Sequence, residues 1–167
     1  MSEQPFRPSW WRRLNQRIAA VPLAARLFAH VLHSLDRAVI RLSRGRFSLT
    51  GLLTGLPVVT LTTIGAKSGM ARSVPLIGVP DDEQVILIAS NWGQTHHPGW
   101  YFNLRAHPEV ELSRSGRARK YMAHEAAGPE YDAYWRRAVE LYAGYAAYRE
   151  RTGGRKIPIV VLTPVGE

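Results

Sequence analysis

The sequence predicts an α+β protein, mostly β, in which an antiparallel sheet closes into a small barrel flanked by helices. Two observations carry this. Six short runs rich in β-branched and apolar residues (57–64, 72–79, 84–90, 109–114, 117–124 and 157–163) follow one another, with short turns such as Pro80-Asp81-Asp82-Glu83 and Ser115-Gly116 between most of them. Strands linked in this way are expected to pair with their neighbours and to close rather than leave long open edges. Helical spacing of apolar residues appears only before residue 48 and in two stretches after residue 97. A chain of 167 residues with 46% hydrophobic composition is long enough to bury one core.

In chain order, residues 1–8 read as a short entry, with Ser9 as N-cap of a helix beginning at Trp10. Trp11, Leu14, Ile18 and Val21 share one face, and Arg12, Arg13 and Arg17 lie away from most of it. Residues 9–25 are therefore basic and amphipathic, with Pro22 interrupting the pattern. A second helix follows, marked by Leu27, Phe28, Val31, Leu32, Leu35 and Val39 and ending near Gly45. The expected organisation is a basic N-terminal helical region over 1–47 and a barrel domain over 48–167, where Gly, Thr, Val, Leu and Pro become frequent. Between the strands, Pro98 is placed as the first residue of a short helix carrying Trp100, Tyr101, Phe102, Asn103 and Leu104, which His107-Pro108 ends. A longer helix is expected over 129–151, with Tyr131, Trp135, Ala138, Tyr142 and Tyr145 near one stripe and Gly153-Gly154 as its stop.

Composition narrows the function. Cysteine is absent, which excludes disulfides, thiolate metal sites and a cysteine nucleophile, and suits a cytoplasmic location. The net charge is +9, of which +7 falls within residues 1–50, where nine arginines face only Glu3 and Asp36. Such a balance points to a nucleic acid, an anionic membrane or a polyanionic small ligand. The apolar run over 18–25 is short, Arg26 interrupts it and no Ala-x-Ala site follows, so no secretion signal is expected. No apolar stretch reaches the roughly 18 residues that span a bilayer, which leaves peripheral contact through Trp10, Trp11 and the arginines.

Three stretches carry candidate chemistry. Gly65-Ala66-Lys67-Ser68-Gly69 joins two strands, and its glycines, amides, Ser68, Lys67 and nearby Arg72 can receive a phosphate, though the same residues also make an ordinary solvated turn. It is no Walker loop, because the glycine spacing differs and a strand follows. Ala89-Ser90-Asn91-Trp92-Gly93 ends a strand and opens a polar loop, with Ser90 as a hydrogen-bonding group and Trp100 as a wall. Tyr142, Tyr145 and Tyr148 recur every three residues, so their rings are expected on one helix face about 120° wide, in the core or in a cleft. Adjacent His96 and His97 point apart and have no carboxylate near them in sequence, so no metal is expected. Catalytic serine triads and paired helix carboxylates are missing, which argues against hydrolysis. Cations, amides and phenols instead suit a planar cofactor with an anionic tail.

Several linked motifs resemble the deazaflavin-dependent nitroreductase family of actinobacteria. They are Leu61-Thr62-Thr63-x-Gly65-x-Lys67-Ser68-Gly69-x-x-Arg72-x-x-Pro75-Leu76, Ala89-Ser90, Pro98-x-Trp100-Tyr101-x-Asn103-Leu104-x-x-His107-Pro108, and Ile157-Pro158 through Pro164. The resemblance implies a split β-barrel that binds coenzyme F420, an 8-hydroxy-5-deazaflavin. By it, Lys67, Ser68 and Arg72 hold the phosphate and carboxylates of the tail, and Pro75, Ser90, Asn91, Trp100 and Asn103 line the rest of the cofactor. Tyr142, Tyr145 and Tyr148 face the substrate, with Tyr145, Tyr142 and Ser90 as the catalytic candidates. The implied reaction is hydride transfer to a quinone-like, nitroaromatic or enone acceptor, and a lipid-soluble quinone would give residues 9–25 a membrane role. Many relatives carry a lysine and then glycines after the strand-end serine, where this chain has Asn91-Trp92-Gly93.

Two other readings stand beside this one. An FMN-binding split-barrel reductase would keep the barrel and change the cofactor. A non-enzymatic basic module would bind a membrane or a nucleic acid. Against the latter, arginine and aromatic residues do not alternate along the strands beyond Arg117, Arg119 and Tyr121, so no nucleic-acid partner is expected.

Overall fold

The structure, a computed structural model, describes residues 55–114 and 116–166. The basic segment over 9–25, the helix expected after it and the boundary at 47/48 lie outside the described residues. Six strands are present: β1 (Val58–Ile64), β2 (Ala71–Asp81), β3 (Gln84–Ile88), β4 (Glu109–Arg114), β5 (Arg117–Glu125) and β6 (Ile159–Pro164). They close in the order β1-β2-β3-β6-β5-β4, with β4 returning to β1 and every pair antiparallel. The antiparallel barrel expected from the sequence is thus observed.

Strands β3 and β6 read as unbroken apolar runs because both of their faces are buried. Val85, Leu87, Val160 and Leu162 join the barrel interior with Leu61 and Leu112. Their alternate neighbours Ile86, Ile88, Ile159 and Val161 form a second cluster with Trp135 and the three tyrosines. Helix α1 (Gly99–Ala106) sends Trp100, Tyr101 and Leu104 into the interior cluster. Helices α2 (Gly128–Leu141) and α3 (Gly144–Arg151) supply the second one. The register Thr63↔Arg72 and Asp81↔Gln84 puts the β1–β2 hairpin tip at one end of the barrel. The β2–β3 and β4–β5 turns lie at the other end.

Three expectations need correction. The single helix over 129–151 is two helices, broken where Tyr142 takes an extended conformation (φ −145°, ψ 100°). Gly144 two residues on is a poor helix former, and Ala143 and Gly144 start a new helix instead. Pro98 is the residue before α1 rather than its first member. Asp81, expected in the turn Pro80-Asp81-Asp82-Glu83, instead ends β2 and accepts hydrogen bonds from the Tyr134 hydroxyl (2.8 Å) and from Arg137, which fasten α2 to the sheet.

Candidate functional site

The hairpin tip is built by local hydrogen bonds. The Gly65 amide donates to the Met70 carbonyl (2.9 Å), the Gly69 amide to the Gly65 carbonyl (2.8 Å) and the Met70 amide to Ser68 Oγ (3.4 Å). Ser68 folds over Gly65 so closely that a β-carbon there would stand 2.5 Å from Ser68 Oγ. Gly69 takes a left-handed conformation (φ 65°), which an L side chain rarely adopts. The amides of Lys67 and Ser68 donate to no group among the described residues. Lys67 and Arg72 are exposed, and neither joins an ion pair among the described residues. Two free amides beside two unneutralised cations match the donor set that an anionic phosphate or carboxylate requires.

Asn103 ties this tip to α1. Its Oδ1 accepts from the Ala66 amide (3.0 Å) while its Nδ2 donates to Thr63 Oγ1 (3.0 Å). Asn103 therefore shapes the turn that presents Lys67. Pro75 lies further along β2, half-buried opposite Thr60, where its missing N–H takes no part in the ladder. Trp100 is 8% exposed and belongs to the barrel interior.

At the end of β3 the chain makes a strap. Ser90 is buried, and after it Asn91 (φ 48°), Trp92 (φ 58°) and Gly93 (φ 77°) are consecutive left-handed residues. Two of them are not glycine, a strain of about 1–3 kcal/mol each that the surroundings must hold. A β-carbon at Gly93 would stand 2.9 Å from the Tyr148 carbonyl oxygen, so the strap lies hard against α3. Asn91 Nδ2 donates to the His96 carbonyl (3.0 Å). Arg155, which the sequence reading overlooked, supplies the main clamp. Its guanidinium donates to the carbonyls of Ser90 (2.8 Å), Ala89 (3.3 Å) and Gln94 (3.0 and 3.1 Å) and to His97 Nδ1 (3.0 Å). Following Gly153-Gly154, it reads in sequence as an ordinary loop cation.

The strap also touches the tyrosines. Trp92 meets Tyr148 edge to face, with centroids 6.0 Å apart. Tyr142, Tyr145 and Tyr148 pack edge to face in all three pairings, and each is at most 4% exposed. The break before α3 lets the Tyr142 and Tyr148 hydroxyls meet at 3.0 Å. Burial raises the pKa of all three phenols. The shared bond raises Tyr148 further and lowers Tyr142, and either hydroxyl can be its donor. The expected site residues thus fall into two groups, the hairpin tip with Asn103 and the strap with the tyrosines; α1, which carries Asn103, follows the strap in sequence, and its Tyr101 ring lies 5.0 Å from that of His97. A cavity of about 580 Å³, lined in part by Arg114, Arg117 and Tyr121, lies at the other end of the barrel and contains none of them. Among the described residues no group of acids and histidines could hold a metal.

The sequence profile described as F420H(2)-dependent quinone reductase matches residues 35–164. The F420H(2)-dependent quinone reductase Rv1261c of Mycobacterium tuberculosis is 35% identical over 113 residues, covering 64% of this chain and 73% of that protein. Among solved structures, the F420-H2 dependent reductase FDR-A is 39% identical with a TM-score of 0.59, covering 64% of this chain and 93% of its own. A protein solved as a domain-swapped dimer is 34% identical with a TM-score of 0.61, covering 80% of this chain and 97% of its own.

Proposed function

The chain belongs to the F420H(2)-dependent quinone reductase family, and from that premise we propose that it reduces a quinone, holding its cofactor between the hairpin tip and the strap. It is an oxidoreductase of the split-barrel type that uses coenzyme F420. The observation that carries the proposal is the hairpin tip, where, among the described residues, the amides of Lys67 and Ser68 are free and the charges of Lys67 and Arg72 are unneutralised. Lys67, Ser68 and Arg72 receive the phosphate and carboxylates of the cofactor tail. Asn103 keeps the turn in the shape that aims them.

When bound, the reduced deazaflavin supplies a hydride. The protein's part is to orient the reactants and to manage the proton. Pro75, Trp100, Ser90 and Asn91 border the cofactor, with the Ser90 carbonyl fixed by Arg155. Tyr142, Tyr145 and Tyr148 face the acceptor, with Tyr142 as the proton donor, since its bond to Tyr148 and the Arg151 charge oppose the rise that burial imposes on its pKa. A nitroaromatic can enter the same site as an incidental acceptor. Residues 9–25, basic and amphipathic, support contact with an anionic membrane surface, where lipid-soluble quinones reside. Among the described residues no helix is long and apolar enough to cross a membrane.

The test has two stages. Fluorescence titration with coenzyme F420 beside FMN is expected to give binding of the deazaflavin alone, and FMN preference would sink the cofactor placement. Oxidation of the reduced cofactor is then followed with a naphthoquinone and with a nitroaromatic. Faster turnover of the nitroaromatic would remove the quinone from the proposal. For the membrane, flotation with anionic liposomes should weaken when Trp10 and Trp11 are both replaced by Ala in the full chain.

A further inference from the structure

Arg151 is the last residue of α3 and plays no part in the mechanism above. Its guanidinium stacks over Tyr148, 4.9 Å from the ring centroid, and Nε donates to the Ala147 carbonyl at 3.2 Å. Its Cβ lies 3.1 Å from where a β-carbon at Gly93 would stand, so the side chain sits where α3, the strap and the tyrosines meet. Nη2 is buried and has no hydrogen-bond partner among the described residues. An arginine side chain does not shed its charge. A buried donor left unpaired is costly, and more so when it is charged, so an orphan of this kind in a folded protein needs an explanation.

We infer that Arg151 is a catalytic residue whose free Nη2 receives the acceptor's carbonyl oxygen and compensates the negative charge that hydride transfer places there. The inference rests on the reading that the tyrosines face the acceptor. Both Tyr142 and Tyr148 already feel the Arg151 charge, which opposes the rise that burial imposes on their pKa values. A quinone that takes up a hydride gains two electrons and one proton and becomes a hydroquinone monoanion. Its oxyanion then accepts from Nη2, in a water-poor setting where such a bond is strong. The Tyr142 O–H bond breaks as a new O–H bond forms on that oxygen, giving the neutral hydroquinone. Once Tyr142 is a phenolate, the Tyr148 hydroxyl, 3.0 Å away, donates to it until solvent returns the lost proton.

The experiment compares wild type with Arg151→Met and Arg151→Lys as full chains loaded with reduced cofactor, using a soluble naphthoquinone. For Arg151→Met, kcat is expected to fall about ten- to a hundredfold, with KM changed by less than about threefold. Cofactor affinity should stay within about twofold, and Arg151→Lys should recover part of kcat. A second readout needs no turnover. An anionic hydroxynaphthoquinone, a mimic of the product anion, is titrated into cofactor-free protein by tryptophan quenching beside the neutral naphthoquinone. Arg151→Met should lose about tenfold or more in affinity for the anion and much less for the neutral ring.

Quinone turnover by Arg151→Met within about twofold of wild type, or equal loss of the neutral and anionic probes, would overturn the inference while leaving the quinone assignment intact. Wild type that reduces no quinone would remove the acceptor reading and this inference with it. Should Arg151→Met fail to bind the cofactor, Arg151→Gln, which keeps an amide donor, is held to the same criteria.

Discussion

Arg155 Nη2 donates to the Ser90 carbonyl oxygen at 2.8 Å, and the same guanidinium reaches Ala89, Gln94 and His97. One side chain thereby holds a strap whose Asn91 and Trp92 stand in left-handed conformations. Replacing it by Met removes donors from several buried or half-buried acceptors at once. Arg155→Met is expected to lose about 2–4 kcal/mol of stability in urea denaturation and to weaken cofactor binding, since no small residue can reproduce the fork. Arg155→Lys should recover only a small part of the loss. Unchanged stability would mean that the strap is held elsewhere.

His97 gives this clamp a pH dependence. A guanidinium has no acceptor atom, so His97 Nδ1 must accept the bond from Arg155 and carry no proton. Burial, and after it the Arg155 charge, pull its pKa below 6.5. Below 6.5 the unfolded chain binds this proton more readily than the folded one, so acid favours unfolding. This contribution is fully present above 6.5 and is lost as pH falls from there towards the lower folded value. Thermal melts between about pH 5 and pH 8 should show Tm falling on the acid side, with a shallower fall in His97→Gln.

Asn103 is expected to act on cofactor affinity through the turn. Asn103→Ala frees both the Ala66 amide and Thr63 Oγ1. It should cost about 1–2 kcal/mol of stability and weaken F420 binding several-fold, with kcat much less affected. Asn103→Asp keeps an acceptor for the Ala66 amide but places a negative charge beside the tip, so it should bind the anionic cofactor more weakly still. An Asp variant that binds better than Ala would count against the anion cradle.

Salt separates the hairpin cations from the rest of the site. F420 affinity should fall as ionic strength rises, because Lys67 and Arg72 are exposed and their charges are screened within about 8–10 Å. Lys67→Ala and Arg72→Ala should each weaken binding and flatten that dependence. Loss of affinity with the salt dependence unchanged would mean that these side chains contribute shape rather than charge.

The tyrosines make the contrast sharpest for turnover. Tyr142→Phe breaks the 3.0 Å bond to Tyr148 and removes a hydroxyl whose rise in pKa on burial is opposed by that bond and by the Arg151 charge, whereas Tyr145→Phe removes a hydroxyl whose pKa burial pushes well up. Turnover should therefore drop about tenfold or more in Tyr142→Phe, with a smaller drop in Tyr145→Phe and little change in cofactor affinity for either. A larger loss in Tyr145→Phe would move the proton-donating role to that residue.

Much of this arrangement is legible before any coordinate. Strand positions follow from alternation and turn residues, and the doubly buried β3 and β6 announce themselves as Val-Ile-Leu-Ile and Ile-Val-Val-Leu. Lys67, Ser68 and Arg72 are visible because turn chemistry is local: two glycines and a serine shape the loop that carries the charge. The break at Tyr142 was not legible. Period-three tyrosines fit an unbroken helix equally well, and the competition was decided by Gly144 together with the packing that Tyr142 finds against its neighbours.

The sequence by itself determined the strand order along the chain, the polarity of the hairpin tip and the absence of thiol chemistry, because each depends on residue type and short spacing. Only the tertiary structure decided what Arg155, Asn103 and Arg151 do. Arg155 acts across more than 60 residues on Ser90, and Asn103 across 37 on Ala66. Arg151 gains its meaning from a buried nitrogen beside Tyr148 that has no hydrogen-bond partner among the described residues. A polar side chain in a loop or at a helix end is compatible with solvent or with burial. The choice is made by which carbonyls, rings and amides the closed barrel brings within hydrogen-bond reach.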